Sequence, residues 1–402
     1  MFGIVTTMSA LEVVLEGSSG WKTIMQDPKY WGSAKIFALD DNSVKDSIAP
    51  IVQDFKYLSS AKVCALEDTP IKESVKFIQM RLQAKNLILD PEIKNFPSVS
   101  LLERYSSCVF LMDIDPASAA KIQEQYGVIC QSVSQLDDSI LTSVAPDHFE
   151  LICNETRNGW RRVLEGLSAP RIPSNCLIIN DRNIFTSDRI LEEGGARYGL
   201  DNIKTLLDVL LPKTFNDNDD FPYHVLIIYQ TDTDGNPKLK YLTDPDEIEK
   251  EREKENQRDK RRSEIFHKLS EIINGFKLRP YKVVFELIGL KRDNPFFNRT
   301  HNRRIYSNYY TISCDHQVAA FQGNKSRCSQ SIEILKLFSK LDKKGSDQPL
   351  KGHDVFVNSL FKSIAEWRQM DCPNTYWVSK DGNFDLTIHH LENRLVSPIK
   401  RQ

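Results

Sequence analysis

Short apolar runs separated by helical stretches dominate the first part of the chain. Runs of strand length occur at Ala34–Leu39, Ala61–Leu66 and Val109–Ile114, and each is followed or closed by acidic residues. Between them, Val75–Lys85 and Ala117–Tyr126 have the spacing and composition of helices. Strands that alternate with helices predict a mainly parallel sheet with helices on its faces.

A second set of elements follows a proline-marked joint at Ser168–Ser174. Each proline there restricts the residue before it to extended backbone, so the joint predicts a boundary between residues 1–168 and residues 175–402. Beyond the joint, the predicted strands are Cys176–Ile179, Tyr223–Tyr229, Tyr281–Leu290 and Ile305–Cys314. The predicted helices are Leu200–Leu211, Ile248–Phe276, Gln330–Leu341 and Val355–Met370. The predicted fold class is therefore α/β throughout.

The composition indicates a globular protein with no overall excess of positive charge. The chain has 402 residues, 40% of them hydrophobic, which is typical of a globular protein with more than one domain. The formal net charge is −2, so an anionic partner must be bound by a local patch. The sequence contains neither a long apolar run nor a signal peptide, and its eight cysteines are scattered. A cytoplasmic location with reduced thiols is expected, and a homo-oligomer is left open.

Two short polar segments carry the clearest chemical signal. They are Asn180–Ser187, with the sequence NDRNIFTS, and His301–Asn308, with the sequence HNRRIYSN. A common register aligns Asn180, Arg182 and Ser187 with His301, Arg303 and Asn308. An arginine therefore stands at the same place in both segments, whereas a histidine stands in only one.

These residue types suit a phosphate site better than a complete hydrolytic site. Arg182, Arg303 and the adjacent Arg304 can hold phosphate oxygens through paired hydrogen bonds. Asn308 can donate a hydrogen bond, and His301 can act as a nucleophile toward phosphorus. Asn180 stands where a second histidine would be needed, and an amide cannot exchange a proton at neutral pH. The sequence predicts phosphate binding more strongly than catalysis.

The two segments resemble the His-x-Lys-x4-Asp motif that the phospholipase D superfamily carries twice. The run Asn180-Asp181-Arg182, followed by Gly199-Leu200-Asp201, is similar to the degenerate phospholipase D-like domain at the C-terminus of MIT-domain proteins. That domain has a short His-Asp-Arg strand followed by a helix led by Gly-x-Asp. The resemblance implies a mixed-sheet C-terminal domain that binds phosphate or lipid without hydrolysis. It does not extend to residues before about 170.

Basic and aromatic residues are interleaved around the second segment. The basic side chains between residues 277 and 304 are Lys277, Arg279, Lys282, Lys291, Arg292, Arg299, Arg303 and Arg304. The aromatic ones near them are Tyr281, Phe285, Phe296, Phe297, Tyr306, Tyr309 and Tyr310. This pattern suits a surface that tracks a nucleic-acid backbone and stacks its bases. The alternative is a strand whose aromatic side chains belong to the core.

Acidic residues at the ends of the N-terminal strands predict a possible Mg²⁺ site. Asp113 and Asp115 follow one such strand, and Asp40, Asp41, Glu67 and Asp68 follow two others. Carboxyl ends of parallel strands share one edge, and carboxylates are suitable Mg²⁺ ligands. The competing interpretation is that such acids cap the next helix, which suits Asp115-Pro116-Ala117 well.

The predicted function is binding of a phosphate backbone, most simply that of a nucleic acid. Whether the protein also cleaves phosphodiesters through His301 is left open. Two alternatives remain at this stage: a non-catalytic scaffold, and a metal-dependent nuclease acting through the N-terminal acids. A setting in bacterial phage defence is expected by analogy alone.

Overall fold

The computed structural model describes residues 3–22, 35–39, 87–138, 147–152, 172–185, 197–216, 220–230, 243–275, 279–290, 294–299, 303–314, 318, 329–337, 349–369, 375–379, 381, 384–385, 388 and 390–396. The chain forms two compact units, one of residues 1–144 with 338–354 and one of residues 145–337 with 355–402. The division falls before the predicted boundary at residue 168, because strand β6 (Asp147–Ile152) pairs within the sheet of the second unit.

The first unit contains a five-stranded parallel sheet, as the sequence predicts. Its strands are β1 (Gly3–Thr7), β2 (Lys35–Leu39), β3 (Leu87–Leu89), β4 (Cys108–Met112) and β5 (Cys130–Ser132), in the order β3-β2-β1-β4-β5. Its helices include α1 (Met8–Glu16), α2 (Val99–Arg104) and α3 (Pro116–Tyr126), with a 3₁₀ turn at Pro91–Asn95. The predicted strand Ala61–Leu66 and helix Val75–Lys85 lie outside the described residues.

Local signals explain where these elements begin and end. Every residue of β1 and β4 is buried, which matches the continuous apolar runs of a covered parallel sheet. The Thr7 hydroxyl accepts a hydrogen bond from the Ala10 N–H and so caps α1. Helix α3 begins with a proline and ends at Gly127, whose φ of 57° suits glycine. Strand β1 and helix α1 were not among the predicted elements.

The second unit is built on a nine-stranded mixed sheet, which confirms the predicted α/β class. The remaining strands are β7 (Cys176–Asn180), β8 (Tyr223–Gln230), β9 (Val283–Leu290), β10 (Arg304–Ser307), β11 (Tyr310–Cys314), β12 (Ser329–Lys336), β13 (Thr375–Val378) and β14 (Phe384–Asp385). Their order is β14-β13-β9-β8-β7-β10-β11-β12-β6. The three central strands, β7, β8 and β9, are parallel, and all the other pairs are antiparallel.

Helices and a C-terminal segment supply the core around this sheet. The helices are α4 (Arg197–Leu210), α5 (Pro245–Asn274), α6 (Pro295–Arg299) and α7 (Pro349–Gln369), of which the part from Val355 onward belongs to this unit. Helix α5 packs on β9, where Phe266 stacks on Phe285 with a ring separation of 5.5 Å. Another core cluster joins β7–β10 to α7, and there Phe356 stacks on Tyr306 at 3.6 Å. Within the described ranges, none of the helices has the length and apolar character needed to cross a membrane.

Two predicted elements of the second unit are wrong. The predicted strand Ile305–Cys314 is two antiparallel strands, β10 and β11, which turn at Asn308 and Tyr309. The predicted helix Gln330–Leu341 is strand β12 over its described residues. Its apolar residues Ile332 and Ile334 alternate with polar ones, and this two-residue period is that of a strand.

Candidate anion-binding site

The two arginine-bearing segments lie side by side in the sheet. Strand β10 pairs antiparallel with β7, and Arg304 stands opposite Asn180 in the register. The Arg303 N–H donates to the Asn180 carbonyl at 2.7 Å. The carboxyl end of β7 therefore meets the amino end of β10, and Arg182, Arg303 and Arg304 share one edge of the sheet. We call these three residues the arginine edge.

Neighbouring strands complete this edge. Strand β8 runs parallel to β7 and ends at Gln230, whose backbone N–H donates to the Arg182 carbonyl at 3.2 Å. Strand β11 also ends here, since the Cys314 N–H donates to the Arg303 carbonyl at 3.0 Å. Ligands of open α/β sheets bind outside the carboxyl ends of the parallel strands, which is where the arginine edge lies.

Arg182 is held in place by two described neighbours. Its Nε–H donates to the Gln230 side-chain oxygen, and its guanidinium carbon lies 5.8 Å from the ring centroid of Phe297. The side chain is half-buried. The guanidinium is therefore oriented before any ligand arrives, which lowers the entropy lost on binding.

Arg303 has an unusual backbone conformation. Its φ of 76° lies in the left-handed region, and among the described residues it is the one residue other than glycine with a positive φ. Both backbone polar groups are fixed, the N–H by Asn180 and the carbonyl by Cys314. A left-handed arginine stores strain of about 1–3 kcal/mol, and such strain concentrates at functional sites.

A buried carboxylate lies between the two arginine segments. Asp181 is fully buried, and its oxygens accept hydrogen bonds from the Val318 N–H at 2.6 Å and the Asn183 N–H at 2.8 Å. Burial raises the pKa of Asp181 to about 6, while the two N–H groups and the charge of Arg303 act in the opposite direction. Among the described residues, the edge therefore combines three cations with one acid whose pKa is about 6.

Arg304 and Asn180, which the sequence also predicts for this site, lie at the same edge but differ in burial. The Arg304 side chain is half-buried, and its charge acts on the Tyr306 hydroxyl. Burial raises the pKa of that hydroxyl to about 12, against the opposing charge of Arg304. Asn180 has no exposed surface, so its side chain does not face a ligand that approaches from solvent.

The structure places Asn308 away from the arginine edge, and its predicted role in phosphate binding stays a prediction. Asn308 follows the far end of β10, roughly 13 Å along the strand from Arg304 at ~3.3 Å per residue. Its side-chain oxygen accepts hydrogen bonds from the Asn175 N–H at 3.2 Å and the Ser307 hydroxyl at 3.1 Å. Asn308 is fully buried, and it connects the turn after β10 to Asn175 just before β7, at the opposite end of the sheet.

The predicted catalytic residue His301 lies outside the described residues, as does His316. Their positions relative to Arg182 and Arg303 therefore contribute nothing to the geometry above. The proposed role of His301 as a nucleophile stays a prediction.

Of the two interpretations of the basic and aromatic segment, the core interpretation holds. All seven aromatic residues are buried: Tyr281, Phe285, Phe296, Phe297, Tyr306, Tyr309 and Tyr310. A base-stacking surface made of these rings is therefore excluded in this conformation. Arg279 is also structural, since it forms an ion pair with Asp208 at 3.3 Å. Lys282 is exposed, but it precedes β9 at the end of the sheet opposite the arginine edge.

The two acids predicted as metal ligands lie at the carboxyl end of β4 in the first unit. Asp113 is exposed, and Asp115 caps helix α3 by accepting a hydrogen bond from the Ser118 N–H at 2.9 Å. Interaction with the Ser118 side chain, followed by the hydrogen bond from the Ser118 N–H, lowers the pKa of Asp115. The part of the chain that the structure describes contains no cluster of three or more potential metal ligands. Asp40, Asp41, Glu67 and Asp68 lie outside it.

Sequence reasoning missed three contributors to the site. Asp181 was part of the aligned segment but had no assigned role, and Gln230 and Val318 come from distant parts of the chain. Phe297 was predicted only as part of a base-stacking surface, whereas it contacts Arg182. A polar residue that closes an apolar strand, as Gln230 does, was the available signal. The contribution of Val318 is a backbone N–H, which no side-chain pattern reports.

Comparison with protein-family models, curated proteins and solved structures finds no match for this chain. The case for a function therefore rests on the residues and their geometry.

Proposed function

We propose that this chain binds the phosphate groups of a nucleic-acid backbone at the arginine edge. The observation that carries the proposal is the pairing of β7 with β10, which brings Arg182 and Arg303 from two distant segments to one edge. Guanidinium groups bind phosphate through parallel hydrogen bonds and keep their charge at all physiological pH values.

Charge and orientation both favour an anion at this edge. Three arginines lie at this edge although the chain as a whole carries a formal net charge of −2. Arg182 is oriented by Gln230 and Phe297, and Arg303 is held by backbone hydrogen bonds on both sides. Because the nearby aromatic rings are buried, recognition is proposed to act on the backbone, with little preference for base sequence.

The first experiment measures binding of fluorescently labelled oligothymidylate by anisotropy across a salt series. We expect log K to fall linearly with log salt, and each arginine-to-alanine change at Arg182 or Arg303 to reduce the slope by about 0.7. Lys282→Ala is the matched control, because it removes an exposed cation at the other end of the same sheet. A salt-independent signal, or an equal loss in Lys282→Ala, would contradict the proposal.

Cleavage is an extension of this proposal and is tested separately. Hydrolysis of a phosphodiester that persists in EDTA and is lost in His301→Ala would support the histidine route. Hydrolysis that EDTA abolishes, and that is lost in Asp113→Ala, would favour the metal-dependent alternative in the first unit. Binding with no hydrolysis under either condition corresponds to a recognition module, which is the function implied by the resemblance to degenerate phospholipase D-like domains.

A further inference from the structure

Asp181 connects three parts of the arginine edge. It follows β7 directly, one of its oxygens binds the N–H of Asn183 in the turn toward Phe185, and the other binds the N–H of Val318 beyond β11. Its own N–H donates to the Ile228 carbonyl of β8 at 3.1 Å. A change in the charge of this one carboxylate therefore acts directly on the turn at Asn183 and on the segment at Val318.

We propose that Asp181 is a proton-linked positioning residue: it takes up one proton from solvent when a tetrahedral oxyanion binds at the arginine edge. This inference rests on the proposed function and adds a regulation to the same site. No covalent bond to the ligand forms, since the proton goes to one carboxylate oxygen. The ligand class is the oxyanion shared by phosphodiesters and phosphate monoesters.

The physical reason is the charge balance around Asp181. Among the described residues, three charged ones lie at this edge: Arg182 after β7, and Arg303 and Arg304 at the start of β10. The other neighbours are uncharged, namely Gln230 at the end of β8 and Val318 after β11. Among them, Arg303 acts on the Asp181 carboxylate. An anion bound by Arg303 neutralises that cation and adds a negative charge nearby, so the ionised form of Asp181 becomes less favourable.

The resulting pH dependence has a definite sign. With a pKa of about 6 before binding, Asp181 is protonated below that value, and the anion then binds without having to recruit a proton. Above pH 6 each binding event must take up a proton, so the affinity falls by up to about tenfold per pH unit. The fall ends once the pH exceeds the raised pKa of the complex.

The experiment uses two probes that do not titrate between pH 5.5 and 8. Sulfate represents a free oxyanion, and oligothymidylate represents a phosphodiester backbone. Isothermal titration calorimetry in buffers of different ionisation enthalpy counts the protons taken up by the full-length chain. We expect close to one proton per binding event at pH 7, and an affinity about twentyfold weaker at pH 7.5 than at pH 5.5. Binding of sulfate alone would assign the site to small oxyanions.

Asp181→Asn tests the assignment of the proton. We expect this variant to bind with the pH-independent affinity that the wild type reaches at low pH, with no proton uptake. Asp244→Asn is the matched control, because Asp244 caps helix α5 at an exposed position and should leave the pH profile unchanged. The proton count on the wild type keeps the test decisive if Asp181→Asn does not fold.

The two failures are distinguishable. Binding of either probe with no proton uptake and a flat pH profile overturns the role of Asp181 and leaves the proposed function intact. Absence of binding for both probes at every pH overturns the proposed function and this inference together.

Discussion

The two ends of the β7–β10 strand pair use the same kinds of residues for different purposes. At the arginine edge, Arg182 and Arg303 are half-buried, and Arg303 is held in a strained backbone conformation. At the opposite end, Arg394 is buried, donates to the carbonyls of Asn175 and Pro222, and lies 3.7 Å from the Phe221 ring centroid. The buried Arg394 stabilises the fold, whereas Arg182 and Arg303 lie partly exposed at the end of their strands.

The opposite end also shows what a structural polar network looks like in this sheet. Ser174 and Tyr223 share a hydrogen bond of 2.8 Å, and Asn393 donates to the Leu177 carbonyl at 3.0 Å. Glu286 accepts hydrogen bonds from the N–H groups of Glu392 and Asn393. The contacts of Glu392 and Asn393 attach the C-terminal segment to the sheet. In this sheet, arginine residues therefore indicate a binding site only where part of their surface is exposed.

The largest expected difference between the two ends concerns stability. We expect Arg394→Ala to lower the free energy of unfolding by about 3 kcal/mol, because it removes charge-assisted hydrogen bonds to two carbonyls and a cation–π contact. Urea denaturation measures this change. The control, Arg104→Ala in the first unit, removes a half-exposed arginine and should cost less than ~1 kcal/mol. A similar small effect for Arg394→Ala would remove the distinction between the two ends.

The free energy of unfolding should fall as the pH rises, because the C-terminal segment is attached to the sheet through the buried Glu286. Burial raises the pKa of Glu286 to about 8, so its folded form holds a proton more tightly than the unfolded chain does. Its contribution to stability is complete below the unfolded pKa of about 4.3 and is lost as the pH rises through the folded value of about 8. Between pH 6.5 and 8, above the range of Asp181, the free energy of unfolding should fall by up to about 1.4 kcal/mol per pH unit.

Urea denaturation across that pH range provides the check on Glu286. Glu286→Gln should abolish the slope, since the amide does not titrate, whereas Glu271→Gln at an exposed position of α5 should retain it. An unchanged slope in Glu286→Gln would assign the pH dependence to another group.

The smallest expected effect distinguishes the contribution of the Arg303 side chain to anion binding from the effect of its backbone strain on stability. Arg303→Gly removes the side chain and also relieves the left-handed strain, whereas Arg303→Ala removes only the side chain. We expect the glycine variant to be about 1 kcal/mol more stable than the alanine variant, while both lose anion binding to the same extent. Thermal unfolding and oligothymidylate binding report the two quantities. Retained binding in both variants would exclude the Arg303 side chain from the site.

Much of the fold could be predicted because the relevant signals are local. The apolar runs at β4, β7, β8 and β9 and the helices α3, α4, α5 and α7 were located by composition and spacing alone. The hairpin of β10 and β11 was missed because its turn at Asn308 and Tyr309 contains neither glycine nor proline. Strand β6 was missed because it gains its place by pairing with β12, which is distant in sequence.

By itself, the sequence determined the α/β class, the alignment of two arginine-bearing segments and the small net charge. Only the tertiary structure decided which of those residues meet. Antiparallel pairing of β7 with β10 placed Arg182 beside Arg303 and Asn308 at the far end. Packing against α7 buried Phe296 and Tyr306, and packing against α5 buried Phe285. The reason is that strand register and burial depend on contacts between distant segments, which local spacing does not encode.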